Sequence, residues 1–365
     1  ATHRSEHRRS PRTHNTQMTK ATHETQMMKA VRFEYKTDHH SIVDAPKPVP
    51  GCDEVLVRIA CSALDTAHQA IINKELTGGF VHSRKGPLYL GYHYSGTVEC
   101  VGSAVADLKE GAAVFGHLQY EASQKQGAFA EFVVVKREHC ATKPEGVTHE
   151  VAAAATTESL TALQAIRDAG GLKVSSRSEQ GPAVGEEQRV LVIGAGGGVG
   201  SAAVQLAKRL LGAHVTAVCS SRDAERVKAW GADTVVDRSA EPGYLERLLA
   251  DKAEGRFDVV FDTPCTLPSK AARLLKPRGA IVGTAPTLPL VWNALKSLFS
   301  SKRSSWVLVK SKRADLELVG KMLAAGDLEI PITTFKVCEM SSAAAKQADR
   351  QKVGRVVVQV EKGWN

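Results

Sequence analysis

The stretch Val190-Leu-Val-Ile-Gly-Ala-Gly-Gly-Gly-Val-Gly200, continuing as Ser201-Ala-Ala-Val-Gln-Leu-Ala-Lys-Arg-Leu-Leu211, decides the fold of this chain. Val190 to Ile193 read as a buried apolar strand that stops at a glycine-rich turn. Beyond the turn, Ala203, Leu206, Ala207, Leu210 and Leu211 recur at helical spacing and give one apolar face. Such a turn lets a pyrophosphate approach the backbone closely, and the helix N-terminus offers free N–H groups and a positive dipole end. The position of the glycines between strand and helix separates this motif from a bare tight turn. Ala195, Gly197, Gly198, Val199 and Gly200 are therefore expected to hold a dinucleotide.

The same unit repeats downstream. His214 to Cys219 reads as a second strand, followed by a helix from about Asp223 to Trp230 that Gly231 stops. Thr234–Val236, Phe257–Phe261, Ala280–Gly283 and Trp306–Val309 read as the third to sixth strands. Short apolar strands alternating with helices imply right-handed crossovers and a doubly wound parallel sheet covered on both faces. At the end of the second strand, where a fold preferring NAD places Asp or Glu, this chain has Ser220-Ser-Arg222. Two hydroxyls and a guanidinium suit a 2′-phosphate, and Arg238 after the third strand is placed to close over the adenine end. NADPH is the expected cofactor, and Asp223 is expected to cap the next helix.

A chain of 365 residues suggests about two domains. From Met28 to about Glu158 the pattern is of short strands, such as Val55–Ala60, Thr97–Gly102 and Phe129–Val135, punctuated by Pro and Gly. That indicates an irregular, largely antiparallel β unit. Val353–Val360 is again strand-like and is expected to return to it.

These pieces resemble the medium-chain dehydrogenase/reductase superfamily, in its zinc-free, zeta-crystallin-like quinone oxidoreductase branch. The resemblance rests on Met28-Lys-Ala-Val-Arg-Phe33, Gly51-Cys-Asp-Glu-Val-Leu-Val-Arg58, Gly91-Tyr-His-Tyr-Ser-Gly96 and Gly127-Ala-Phe-Ala-Glu-Phe132. Leu160-Thr-Ala162, Gly194 to Lys208 and Gly354-Arg-Val-Val-Val358 complete it, all in the family's order. It implies a GroES-like catalytic domain over residues 28–158, a Rossmann domain over 159–311 and a return to the catalytic domain over 312–365. It also implies a cleft for NADPH and substrate, with Thr161, Gly283 and Thr284 joining the cofactor contacts, and a homodimer.

Zinc alcohol dehydrogenases of this superfamily carry Cys at the position of Asp65 and His at that of Tyr92. Asp65 alone cannot build a site that needs three protein ligands and an open position. The loop of four close cysteines is missing too, so no metal is expected, and His68 and His93 are read as packing or surface residues rather than ligands. Quinone reductases commonly keep Asn where Asp65 stands, in a segment that here reads Leu64-Asp-Thr-Ala-His68. With Tyr92, Asp65 is the candidate for the substrate pocket, either protonated by burial or solvated. Related enoyl-thioester reductases place a proton-donating Tyr near Phe80, which cannot donate; a local slip would bring in Tyr89, Tyr92 or Tyr94.

The expected reaction is hydride transfer from NADPH to a quinone or an α,β-unsaturated carbonyl, with enoyl-thioester reduction as the alternative. Residues 1–27 carry +3 of the chain's +9 net charge and little that can pack, so a disordered extension is expected, with a transit peptide as the rival reading. Residues 174–184 read as a surface insertion. The remaining basicity leaves a nucleic-acid-binding or non-catalytic subunit as a second class of reading, but the charges are scattered and no nucleic-acid motif accompanies them. Seven cysteines without a CxxC pair suggest a reducing compartment, the cytoplasm or, with a transit peptide, the mitochondrion. No apolar run approaches the ~20 residues of a membrane span. Leu288–Phe299, amphipathic and followed by Lys302 and Arg303, reads as an interface or substrate-mouth segment.

Overall fold

A computed structural model describes residues 26–34, 39–75, 79, 82–83, 85–173, 187–250, 256–349 and 351–364. The extension up to residue 25, Phe80 and the 174–184 insertion lie outside the described residues.

Two sheet systems organise the chain. The first comprises β1 (Met27–Glu34), β2 (His39–Pro46), β3 (Glu54–Ala63), β4 (Leu88–Tyr89), β5 (His93–Val101), β6 (Ala113–His117), β7 (Phe132–Lys136) and β8 (Cys140–Thr142). β1 pairs antiparallel with β2 and β4, whereas β3, β5, β6 and β8 form the spine of a larger antiparallel sheet to which β7 adds against β3. Gly96 allows β5 to cross β3 closely, since a Cβ there would fall 2.0 Å from the Arg58 carbonyl oxygen. Between β3 and β4, α1 (Thr66–Ile72) is capped by the Asp65 carboxylate.

α2 (His149–Leu163) leaves this sheet for the second system. Its alanine-rich sequence permits close packing, and every residue from Ala152 to Leu163 is buried. The second sheet has six parallel strands: β9 (Arg189–Ile193), β10 (His214–Cys219), β11 (Thr234–Asp237), β12 (Phe257–Asp262), β13 (Leu275–Gly283) and β14 (Arg303–Trp306). Their order, β11-β10-β9-β12-β13-β14, is the 3-2-1-4-5-6 arrangement of a Rossmann fold. Val190, Leu191, Val192, Val259, Val260 and Phe261 are all fully buried, as a sheet covered on both faces requires. α3 (Gly198–Gln205), α4 (Ala224–Ala229), α5 (Tyr244–Ala250) and α6 (Leu288–Ser297) are among the connecting elements. The sixth strand differs from expectation. It runs over the polar Arg303–Trp306, and the apolar Val307–Val309 follows it, with the Val307 amide bonded to the Gly283 carbonyl.

After α7 (Arg313–Ala324) the chain rejoins the first system. β15 (Ile332–Lys336) precedes α8 (Met340–Ala348), and β16 (Arg355–Gln359) pairs parallel with β15 and antiparallel with β3. The molecule is thus a Rossmann sheet joined to a mainly antiparallel β unit.

Candidate functional site

The glycine-rich turn lies where strand order reverses, between β9 and β12, at the carboxyl ends of the parallel strands. Gly194 has φ +79° and supplies the carbonyl that Gly197 N–H bonds at 3.0 Å, tightening the turn. Gly197 is the N-cap of α3 and brings no side chain to the free amides behind it. Gly200 packs the helix onto the strand, because a Cβ there would meet the Gly194 carbonyl oxygen at 2.2 Å. The turn therefore presents bare N–H groups, with no side chain of its own filling the place a phosphate would take. These residues fit a dinucleotide.

Ser220, Ser221 and Arg222 follow β10 on one side of this turn, and the Arg238 amide bonds the last carbonyl of β10, that of Cys219, at 2.9 Å. Gly283 and Thr284 follow β13 on the other side. The Thr284 hydroxyl donates to the Thr263 carbonyl, and its amide points at Cys265 Sγ. Thr161 lies on α2, buried, one turn beyond Glu158.

Two carboxylates modify the reading of the adenine end. Asp223 makes no capping bond to the following helix; its side chain turns back over Gly196, where a Cβ would fall 2.4 Å from Oδ2. Ser220 Oγ donates to it at 2.8 Å, while Arg226 and Arg222 neutralise it at 2.5 and 3.5 Å. Ser221 donates its hydroxyl to Asp237, and this bond, with the Ser239 and Ala240 amides, holds the Asp237 carboxyl below its ordinary value. Arg222 remains half-exposed at the mouth of the turn.

The second half of the site is a buried polar chain. Asp65 is neither protonated by burial nor solvated. Burial alone would raise its pKa, but the His93 hydrogen bond and charge, then Tyr120 and the His68 amide, hold it well below the carboxylate range. Asp65 Oδ2 accepts from His93 Nε2 at 3.0 Å and from the Tyr120 hydroxyl at 2.5 Å, while Oδ1 accepts from the His68 amide at 2.8 Å. His93 Nδ1 meets the Thr156 hydroxyl at 2.7 Å and that of Thr157 at 3.3 Å. Arg355 Nη2 approaches His93 at 3.3 Å, and its Nη1 pairs with Glu158. Glu158 in turn flanks the nucleotide turn, since a Cβ on Gly198 would lie 3.0 Å from its Cγ. Its Oε2 and both ring nitrogens of the buried His117 have no protein partner.

Tyr92 packs edge-on against Tyr120 at 4.8 Å and belongs to this cluster. Tyr94 does not: its hydroxyl donates to the His139 carbonyl. His93 is a member of the polar chain rather than filler, and His68, also buried, meets His40 at 3.2 Å. Tyr120, His117, Glu158 and Arg355 were not read from sequence. The available signal was a charge inside an otherwise apolar segment, Glu158 in the alanine-rich helix and Arg355 at the head of Val356–Val358. The family's zinc finds no donor set here. Asp65 is committed to three hydrogen bonds, and no group of three His, Cys, Asp or Glu among the described residues is arranged for a metal.

Comparison with known proteins agrees with this architecture. Residues 51–145 match the alcohol dehydrogenase GroES-like domain, and residues 198–322 match the family described as zinc-binding dehydrogenase. The chloroplast envelope quinone oxidoreductase homolog of Arabidopsis thaliana is 30% identical over 321 residues, covering 87% of this chain and 93% of that protein. The mitochondrial NAD(P)H oxidoreductase RTN4IP1 of Mus musculus is 31% identical over 296 residues, covering 75% and 71%. The solved quinone oxidoreductase from Coxiella burnetii superposes with a TM-score of 0.73 at 26% identity, over 92% of this chain and 99% of that one. The chain is an oxidoreductase of the nicotinamide-dependent kind, and it belongs to the medium-chain dehydrogenase/reductase superfamily, in the quinone oxidoreductase branch.

Proposed function

We propose that this chain is an NADPH-dependent reductase that passes hydride to a quinone or an α,β-unsaturated carbonyl without a metal. The observation that carries the reading is the Asp65 carboxylate, wholly engaged by His93, Tyr120 and His68 where metal-dependent relatives need a ligand. An alkoxide would find no Lewis acid to stabilise it, whereas a quinone or enone spreads the incoming charge by conjugation. When bound, the dihydronicotinamide supplies the hydride. The glycine turn and Glu158–Arg355 would set its position, and the buried Asp65–His93 chain would exclude water from the acceptor side.

Preference for NADPH is supported by Arg222, half-exposed at the turn, and by Asp223 being neutralised by two guanidiniums. A homodimer is supported by the free edge of β14, beside which Trp306 and Leu308 are exposed. A reducing compartment is supported by seven unpaired cysteines. Steady-state oxidation of NADPH and NADH, read at the dihydronicotinamide absorbance with p-benzoquinone, cyclohexenone and simple alcohols plus NADP⁺, tests the reading. Turnover of a quinone or enone with NADPH, untouched by chelators, is expected. Alcohol oxidation dependent on one zinc per chain refutes it.

A further inference from the structure

We propose that Tyr120 is the proton donor of the reductive half-reaction, its hydroxyl held in place by Asp65. The inference rests on the reductase reading above and names the residue that completes it.

Three observations support it. First, the Tyr120 hydroxyl and His93 Nε2 converge on the same oxygen, Asp65 Oδ2, at 2.5 and 3.0 Å, so one atom joins two proton-bearing groups. Second, Tyr120 is partly exposed, whereas Asp65 and His93 behind it are sealed. Third, the phenol is held in place. Its ring stands edge-on to Tyr92 at 4.8 Å and His117 at 4.6 Å, and the preceding Gln119 is tied to the 309–311 segment by bonds to the Val309 carbonyl and the Ser311 amide. A tyrosine serving only to satisfy Asp65 would not need the partly open position.

The step balances as follows. Hydride adds to the electrophilic carbon, and the electron pair of the conjugated double bond moves onto the acceptor, leaving an enolate or hydroquinone anion. The Tyr120 O–H bond, free to rotate out of Asp65, breaks and its proton goes to that anion. A phenolate beside a carboxylate is unfavourable, so Tyr120 takes a proton back from solvent at its partly exposed position once the product leaves. Burial and the Asp65 charge hold the Tyr120 pKa well above its ordinary value. Tyr120 therefore arrives protonated, matched to a strongly basic acceptor anion. An enolate fits that match better than the weaker base left by a quinone.

Tyr120→Phe keeps the ring and its edge contacts and removes only the hydroxyl. With cyclohexenone, kcat should fall about a hundredfold while acceptor KM and NADPH Kd stay within about twofold. With p-benzoquinone, whose hydroquinone anion can leave unprotonated, the loss should be less than about fivefold. The wild-type enone reaction should show a solvent deuterium isotope effect on kcat and lose rate at high pH; Asp65→Asn should move that limb. Equal losses on both acceptors, or enone turnover retained within about threefold, overturn the assignment of Tyr120 alone. Should the variant fail to fold, absence of a solvent isotope effect in the wild-type enone reaction overturns it equally. A wild-type enzyme that oxidises NADPH with neither acceptor overturns the reductase reading itself.

Discussion

Replacing Arg355 by Met should be among the most damaging single changes outside the hydrophobic core. Arg355 is 6% exposed and its partner Glu158 is 7% exposed, so the pair is buried and little screened by solvent. Burial already pushes the Glu158 carboxyl above its usual pKa even with Arg355 beside it, and its Oε2 lacks a protein partner. Removing the cation strands that charge, and breaking one side of a buried pair costs about 3–5 kcal/mol. The folded-state pKa of Glu158 is raised above the unfolded one, so its contribution favours the folded state at low pH and is lost as pH rises through the folded value. Without Arg355 the shift grows. The deficit of Arg355→Met should therefore be largest near neutral pH and shrink on acidification, as the carboxyl takes up a proton. Urea denaturation at several pH values reads this directly. The double variant Glu158→Gln/Arg355→Met removes both charges and should recover most of the loss. A single variant within about 1 kcal/mol of wild type at neutral pH, or a deficit that deepens in acid, would refute the reasoning.

Arg222→Ala should weaken NADPH about tenfold in a fluorescence titration and leave NADH unchanged, the modest size reflecting a half-exposed guanidinium. An equal effect on both cofactors would remove Arg222 from the 2′-phosphate. Gly200→Ala places a Cβ 2.2 Å from the Gly194 carbonyl oxygen and should abolish cofactor binding or folding; unaltered NADPH titration would show that the turn opens freely. Asp65→Asn should alter enone turnover while leaving NADPH affinity within about twofold, and an unaltered profile across acceptors would place Asp65 outside the chemistry.

The Rossmann sheet was legible because parallel strands buried on both faces are written as largely apolar runs, and β9, β10, β12 and the second half of β13 carry them. β14 was misplaced because an edge strand escapes that rule: Arg303-Ser-Ser-Trp306 is polar, and the apolar run beside it belongs to the connection after it. Glycines at the turn could be read singly, since each answers to local backbone geometry. The polar chain could not. Asp65 meets His93 across 28 residues, Tyr120 across 55, and Arg355 reaches His93 across 262, separations that no periodicity records. Asp223 was read as a cap because capping is a local habit of Asp, and the neighbouring Arg226 and Ser220 outcompeted the helix for its side chain.

The pairing of β16 with β3 bears on how the molecule assembles. Gln359 lies opposite Cys61, so the sheet holding β3 cannot close until β16 has left the ribosome. The parallel sheet, by contrast, draws all its strands from residues 189–306 and is complete in sequence beforehand. During synthesis the nucleotide-binding half can therefore condense while β3, buried along most of its length in the finished protein, still lacks one neighbour. Contacts so distant in sequence also slow closure of the sheet. A chain stalled short of Arg355 would leave the Cys61–Ala63 end of β3 without its partner and Glu158 without its cation, and β16 thus acts as the clasp that closes an otherwise open, aggregation-prone edge.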